Sequence, residues 1–385
     1  MKKAVMYGAG NIGRGFIGKV FSESGYEVCF LDIADDIIAE MNRRHEYKVH
    51  IISNDIERYD TVNNVSAVNA MTPQAIERIA GCDLMATAVG AGVLSRIAPT
   101  VAKGLSLRIE QGGGPLDIIL AENQLDADKL MRGYIYDCLD ESDRAWADKN
   151  LGLVEASIGR MVPRMTEQER MEDPLLIAVE PYAELPADSA AFKGAIPQLV
   201  GLIPYSPFGF YVKRKLYIHN MGHALCAYFG WRRNYEYIWE AVADDGIYEV
   251  AKGAMTDVAN ALSAEYDVPL PDILDNVEDL LYRFGNKALG DTVARVAADP
   301  VRKLRKDDRL TGAALYCIAC GYKPGGIAAG IAAAIAYDNP EDVSAGKVQK
   351  TLQEEGAGAV IERYMGLEKD STLAEMVREA IAAID

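Results

Sequence analysis

Three glycines near the start of the chain set the strongest constraint on its fold. A short apolar run, Ala4-Val-Met-Tyr7, breaks into Gly8-x-Gly10-x-x-Gly13. A strand that ends in glycines at this spacing and runs on into a helix turns tightly, lets a pyrophosphate approach the backbone, and offers it the free N–H groups of the helix start. Gly8, Gly10, Asn11, Ile12 and Gly13 are therefore the expected phosphate cradle. A second apolar run, Glu27 to Leu31, ends in Asp32, about twenty residues after the glycines. A carboxylate there accepts hydrogen bonds from both hydroxyls of an adenosine ribose and repels a 2′-phosphate, which points to NAD rather than NADP. Arg43 and Arg44, farther on, are the counter-charges that would argue the other way.

The alternation continues. Ala4 to Met6 reads as a strand, Gly13 onwards as a helix, Val28 to Leu31 as a strand, Asp36 to Arg44 as a helix, and Tyr47 to Ile52 as an extended run. Such a series implies an α/β fold with an N-terminal Rossmann domain, a doubly wound parallel sheet whose strand ends carry the cofactor contacts. Leu84 to Gly90 is a buried strand ending in a glycine turn, so Thr87, Ala88 and Val89 are expected on the nicotinamide side. Asp117 to Asn123 is a further strand that delivers Glu122 and Asn123 at its end; a cleft-facing pair and a solvated strand end fit this spacing equally. Prolines 163, 174, 181, 186, 197, 204 and 207 punctuate the transition to a mainly α-helical second half, with breakers near Asp267–Pro271 and Lys323–Gly326. The expected division is a Rossmann domain over 1–195 and a helical substrate domain over 196–385.

The chain's 385 residues suffice for two domains, each with its own core. Forty basic against 57 acidic residues give a net charge of −17, which disfavours nucleic acid and anionic membranes as partners. An anionic substrate must then be held by a local cluster of cations. No secretion signal is read in Met1 to Tyr7, and the longest small and apolar run, Gly325 to Tyr337, is shorter than the roughly 20 residues of a membrane helix. Its Ile327, Ile331 and Ile335 form one packed stripe. Six scattered cysteines fit a reducing, cytoplasmic compartment, and Cys317-x-x-Cys320 lies in an apolar segment that reads as core.

The densest chemistry in the second half is Lys213-Arg-Lys-Leu-Tyr-Ile-His-Asn-Met-Gly-His223, which holds two of the four histidines. At about 100° per residue, Lys215, His219 and His223 form an i, i+4, i+8 stripe, with Asn220 inside an arc of about 140°. A lysine, an amide and an imidazole facing one place suit alcohol oxidation: a base takes the hydroxyl proton while the carbinol hydrogen leaves as hydride, and donors steady the developing alkoxide. Lysine serves as that base only if burial or a neighbouring cation lowers its pKa. Two other readings fit the same residues. His219-x-x-x-His223 has the spacing of a zinc pair, although Asn220 stands where HExxH has glutamate and no third ligand follows. A solvated lysine with core imidazoles is the plainer one.

Several stretches together carry a resemblance. GAGNIGRGFIG at Gly8 to Gly18, TAVGAGVLSRIAPTVAKGL at Thr87 to Leu105, AEN at Ala121 to Asn123, and KLYIHNMGHA at Lys215 to Ala224 are similar to the polyol-specific long-chain dehydrogenases of the mannitol dehydrogenase family, and the likeness extends to Arg302-Lys-Leu304 and Asp308-Arg-Leu310. The resemblance implies a metal-independent active site between two domains. It places the catalytic lysine, asparagine and histidine on Lys215, Asn220 and His223, with lysine as general acid/base and the others orienting and polarising the reacting oxygen; His219 is left as part of the substrate wall. The chain departs from the family at Gly159-Arg160-Met-Val-Pro163, where an aspartate usually precedes the arginine, and at Ala121, where a cysteine is usual. Glu155 and Ser157 stand near another polar position of the family.

The resemblance implies an NAD-dependent interconversion of D-mannitol 1-phosphate and D-fructose 6-phosphate by a monomer or small homo-oligomer. Candidate substrate residues are Glu155, Arg160, Lys213, His219, Arg302 and Arg309, with Arg214, Lys303 and Arg305 as further cations for the phosphate. The rival readings are a dehydrogenase for another polyol, polyol phosphate or hexuronate, and a catalytically silent NAD-binding sensor.

Overall fold

The computed structural model describes residues 1–384 apart from 123, 125 and 164–166. The chain divides into two compact units, Met1–Gly209 and Phe210–Asp385, so the division falls at 209/210, beyond the 195 expected from the proline-rich stretch.

In the first unit, β1 (Lys2–Tyr7), β2 (Tyr26–Asp32), β3 (Glu46–Ile52), β4 (Glu57–Asn63), β5 (Val65–Asn69), β6 (Leu84–Thr87), β7 (Leu116–Leu120), β8 (Leu151–Glu155) and β9 (Ile177–Val179) precede a short pair, β10 (Leu185–Asp188) and β11 (Leu202–Tyr205). The main sheet has the order β5-β2-β1-β6-β7-β8 with every pair parallel, the doubly wound Rossmann arrangement. Winding reverses between β1 and β6, where their carboxyl ends open the crevice such folds use for ligands.

The sheet's central strands are covered on both faces, so they read as unbroken apolar runs. Ala4, Met6, Val28 and Phe30 pack to one side with Phe16 and Phe21, while Val5, Tyr7, Cys29 and Leu31 pack to the other with Ile79, Met85, Leu94 and Val101. The outer edge of β5 is closed by a side chain: the Asn42 amide donates to Ala67 O and accepts from Ala67 N, both at 2.8 Å. That reproduces a strand's pairing and removes a sticky edge.

The extended run Tyr47–Ile52 is indeed a strand, but it lies outside the main sheet. It is the middle of a second sheet, β4-β3-β9, antiparallel to β4 and parallel to β9. An alternating burial pattern in β3, with Tyr47, Val49 and Ile51 inside, is what separates this half-covered strand from its buried neighbours.

The second unit has only helices among its described residues. Its centre is the helix Met221–Arg232, in which Met221, Ala224, Leu225, Cys226, Ala227 and Tyr228 are all buried. Asp267 in the left-handed region ends the helix Asp245–Tyr266, and Gly325–Ile335 buries Ile327, Ile331 and Ile335 together. Cys317 is buried and Cys320 exposed, both as free thiols. Among the described residues, no helix is long and apolar enough to cross a membrane.

Candidate functional site

In the first unit the glycine loop closes on the crevice between β1 and β6. Gly8 has φ +101°, a conformation that side chains resist, and a Cβ there would stand 2.6 Å from Ala88 O. A Cβ on Gly13 would overlap the carbonyl oxygen of Gly8, whereas the space around Gly10 is open. Two glycines thus let the loop fold tightly, and the third leaves room for a phosphate group. The stretch Gly13–Gly18 is a π-helix, continued by the α-helix Lys19–Glu23. Beside it is a cavity of about 310 Å³ lined by Asn11, Arg14, Asp36 and Ile37 together with Pro163, Pro174, Leu176 and Ile177.

Asp32 ends β2 as expected and is partly buried. Its Oδ2 accepts from Ala9 N at 2.6 Å, and its Oδ1 accepts from Ile33 N at 2.7 Å and Ala34 N at 3.0 Å. The carboxylate therefore braces the glycine loop and is fixed in direction for any further donor. Asn11 is exposed and Ile12 half-buried on the same loop.

At the end of β6, Thr87 is fully buried and its Oγ1 has no hydrogen-bond partner. An orphaned hydroxyl beside an open loop is the kind of group a ligand satisfies. Ala88 and Val89 follow, half-buried; Ala88 N donates to Tyr7 O at 2.9 Å, and Val89 N to Glu122 Oε1 at 3.0 Å. Gly90 N adds a second bond to Glu122 at 2.8 Å. Glu122 is thus spent on holding the β6 loop. Asn123, the other half of that pair and an expected cofactor contact, lies outside the described residues. Glu155 ends β8 half-buried, accepts from Ala127 N at 3.0 Å, and is pushed up to about 7 by burial and then by Asp128.

Arg160 is corrected by the structure. It is only 6 % exposed; its guanidinium donates to Glu180 O and Gly15 O, both at 3.0 Å, and lies 5.3 Å from the centre of the Phe16 ring. Burial draws its pKa down to about 10. With its donors turned to carbonyls of the core, it anchors the glycine helix instead of reaching a substrate.

In the second unit, Lys215, His219 and Asn220 lie on a second π-helix, Arg214–Asn220, which runs straight into Met221–Arg232 carrying His223. The sequence stripe assumed α geometry throughout. A π turn closes i→i+5 hydrogen bonds, so it takes up an extra residue and brings Asn220 round beside Lys215, where an α-helix would leave it about 140° away. π stretches of this kind recur at functional sites.

The Lys215 amine is lowered to about 8, first by burial and then by Arg309 and Arg283. The shift runs in the direction that a lysine acting as a base requires. His219 is lowered well below its ordinary value by burial, then by Arg283 and Lys215, and is neutral. His219 stands 5.7 Å from the Phe284 ring and His223 stacks on it at 4.7 Å with 13° between planes. His223 Nε2 is 3.1 Å from Asp291 Oδ2. Among the described residues no group of three or more His, Cys, Asp or Glu side chains is placed to hold a metal ion.

The expected phosphate cations divide into two kinds. Lys213 donates to both oxygens of Glu265 at 2.6 Å and lies over the Tyr266 and Tyr316 rings; Arg305 is paired with Asp307; Arg302 is exposed and shared between Asp299 and Asp308 at 3.0 and 3.1 Å. These three are neutralised by local carboxylates, which corrects Lys213 and Arg302 as free phosphate ligands. Arg309 shares Asp308 at 2.8 Å yet still acts on Lys215, His219 and Lys303. Lys303, 4 % exposed, donates to Ala298 O and is pushed down to about 7 by burial, then Arg309.

Arg283 and Asp291 were not singled out from sequence. Arg283 is 7 % exposed at the end of the helix Leu270–Phe284, bonded to Asp279 at 3.1 Å. The signal was available: it sits three residues after Leu280 on the buried face of Ile273, Val277, Leu280, Leu281 and Phe284. Asp291 follows Gly290 and reads as a turn residue, so nothing in its local sequence marks it.

Comparison with known proteins identifies both domains. Residues 2–201 match the mannitol dehydrogenase Rossmann domain and residues 209–385 the mannitol dehydrogenase C-terminal domain. The fold is similar to that of Pseudomonas fluorescens mannitol 2-dehydrogenase, solved as a ternary complex with NAD and D-mannitol, at 15 % identity over all of this chain and 92 % of that one, with a TM-score of 0.75. It is also similar to D-sorbitol dehydrogenase in substrate-free form, at 16 % identity, 98 % and 91 % coverage, and a TM-score of 0.84. With matched domains spanning nearly the whole sequence, the chain belongs to the mannitol dehydrogenase family.

Proposed function

We propose that this NAD-dependent polyol dehydrogenase interconverts D-mannitol 1-phosphate and D-fructose 6-phosphate. The observation that supports the phosphate is the gathering of two arginines about the catalytic lysine. Arg309 and Arg283, each with an aspartate partner, both act on Lys215. In a chain of net charge −17, the repulsion among three cations gathered at one place is eased when an anion joins them. A phosphate offsets that repulsion; an uncharged polyol leaves it standing.

The first unit fits the cofactor: the tight Gly8 and Gly13, the space at Gly10, the fixed Asp32 carboxylate and the unpartnered Thr87 hydroxyl suit a pyrophosphate, a ribose and a nicotinamide end. The chemistry supplied by bound NAD is acceptance of the carbinol hydride. In the second unit, Lys215 Nζ takes the hydroxyl proton during oxidation and returns it during reduction. An amine near 8 is close enough to neutrality to serve in both directions. Asn220, brought beside Lys215 by the π turn, offers an amide donor to the oxygen that gains or loses the proton. Arg283 and Arg309 hold the phosphate and keep the lysine readily deprotonated.

A second reading, a dehydrogenase for an unphosphorylated polyol, is favoured by the pairing of Lys213, Arg302 and Arg305 with carboxylates. NADH oxidation with fructose 6-phosphate and with fructose separates the two. The phosphate reading requires a higher kcat/KM for fructose 6-phosphate by about two orders of magnitude, the worth of a charge-assisted bidentate contact. Equal use of both sugars overturns it in favour of the second reading.

A further inference from the structure

The pairing of His223 with Asp291 bears on which of the two imidazole nitrogens is offered to a substrate. Asp291 is 8 % exposed. Its two oxygens are divided: Oδ1 accepts from Arg295, with Nε at 2.7 Å, and Oδ2 faces His223 Nε2 at 3.1 Å. Burial alone would raise its carboxyl, but the hydrogen bond with His223 and then Arg295 outweigh burial and hold it below the ordinary carboxylate range. Asp291 is therefore ionised and can only accept. The backbone around it is pinned as well, since Ile238 N donates to Asp291 O at 2.9 Å.

A nitrogen that faces an acceptor-only group must carry the proton. In the neutral ring that proton is on Nε2, and Nδ1 is left with its lone pair. Phe284, stacked on the ring at 4.7 Å, holds its plane. A neutral imidazole in this state cannot donate to a carbonyl or alkoxide oxygen, which is what polarising the reacting oxygen would require.

We propose that Asp291 is a positioning residue that locks His223 in the Nε2–H form, so that His223 accepts, through Nδ1, a hydrogen bond from a substrate hydroxyl other than the one being oxidised. This rests on the polyol reading of the same site. It assigns the imidazole to recognition of the neighbouring carbinol, which alcohol and ketone both carry, and leaves Asn220 and Lys215 to the reacting oxygen.

Arg295 makes the arrangement testable. In Asp291→Asn the amide oxygen stays with the Arg295 donors, which turns the NH2 group towards His223 Nε2. That nitrogen must then accept, and the ring proton moves to Nδ1. Nitrogen-15 NMR reads the tautomer directly, and with four histidines in the chain the His223 signals are identified by their loss in His223→Gln. The expected result is Nε2–H in the unmodified protein and Nδ1–H in Asp291→Asn. The variant should also lose about 10- to 100-fold in kcat/KM for the sugar, with NAD affinity unchanged, as when the partner that orients a functional imidazole is removed. An Nδ1–H tautomer in the unmodified protein overturns the proposal without any variant having to fold. Unaltered kcat/KM in a folded Asp291→Asn whose tautomer has switched overturns the role given to Nδ1. Failure of the unmodified protein to turn over any polyol would overturn the functional reading instead, which the NMR result does not depend on.

Discussion

Replacing Arg309 with methionine removes one of the two cations acting on Lys215 and keeps most of the apolar stem. The lysine stands at about 8 against an ordinary 10.5, with burial as the first cause, Arg309 the second and Arg283 the third. Because burial remains, the variant recovers less than half of that difference, about one pH unit or roughly 1.4 kcal/mol. Oxidation needs the neutral amine. At pH 7 the neutral fraction is about one in eleven for a pKa near 8 and about one in a hundred for a pKa near 9, so kcat/KM for oxidation should fall about ninefold there from this cause alone. The rising limb of the pH profile should move from about 8 towards about 9 and meet a plateau above it. A lost phosphate contact would lower the whole curve by one factor without moving the limb. Initial rates of NADH formation across this pH range separate the two effects. A limb that stays in place in the variant would refute the electrostatic coupling of Arg309 to Lys215.

Other outcomes follow from the same geometry. Lys215→Met should abolish turnover and raise the melting temperature at pH 7: the amine sits near 8 folded and near 10.5 unfolded, so its charged form costs up to about 3 kcal/mol below pH 8, and that cost is relieved as pH rises between the two values. A lower melting temperature would contradict the burial. Gly13→Ala places a Cβ on the Gly8 carbonyl and should remove NAD binding measured by fluorescence titration; an unchanged Kd would mean that the loop is looser than its packing indicates. Asp32→Ala should weaken NAD about 10- to 100-fold, the worth of hydrogen bonds to a charged group, and narrow its preference over NADP. An unaltered preference would place the ribose contact elsewhere.

The Rossmann half was legible because its signals are local: a glycine spacing, an acid at a strand end, and unbroken apolar runs that only a sheet covered on both faces accommodates. The placing of β3 in a second sheet was not legible, because an alternating run states that one face is covered without stating by what. In the second unit the spacing of Lys215, Asn220 and His223 could be read, but not the π turn that changes their directions, since nothing in Leu216-Tyr-Ile218 announces it. The hardest thing to read was which cation meets which carboxylate. Lys213 and Lys215 are two residues apart and look alike as sequence, yet Glu265, fifty-two residues on, neutralises only the first. Arg160 looked equally ready for a substrate, and only the approach of the Gly15 and Glu180 carbonyls gives it a different task.

The π turn between Lys215 and Asn220 has a consequence for how divergence in this chain should be judged. A π stretch is an α-helix carrying one residue too many, held open by what surrounds it. Deleting a single residue between Lys215 and Asn220, such as Leu216, would let the helix close to its ordinary winding with the asparagine four places after the lysine, about 40° round the axis and still beside it. A point substitution in the same stretch would leave the excess intact. A one-residue alignment gap between 215 and 220 is therefore compatible with this chemistry, and loss of the lysine or the asparagine itself reports its absence better.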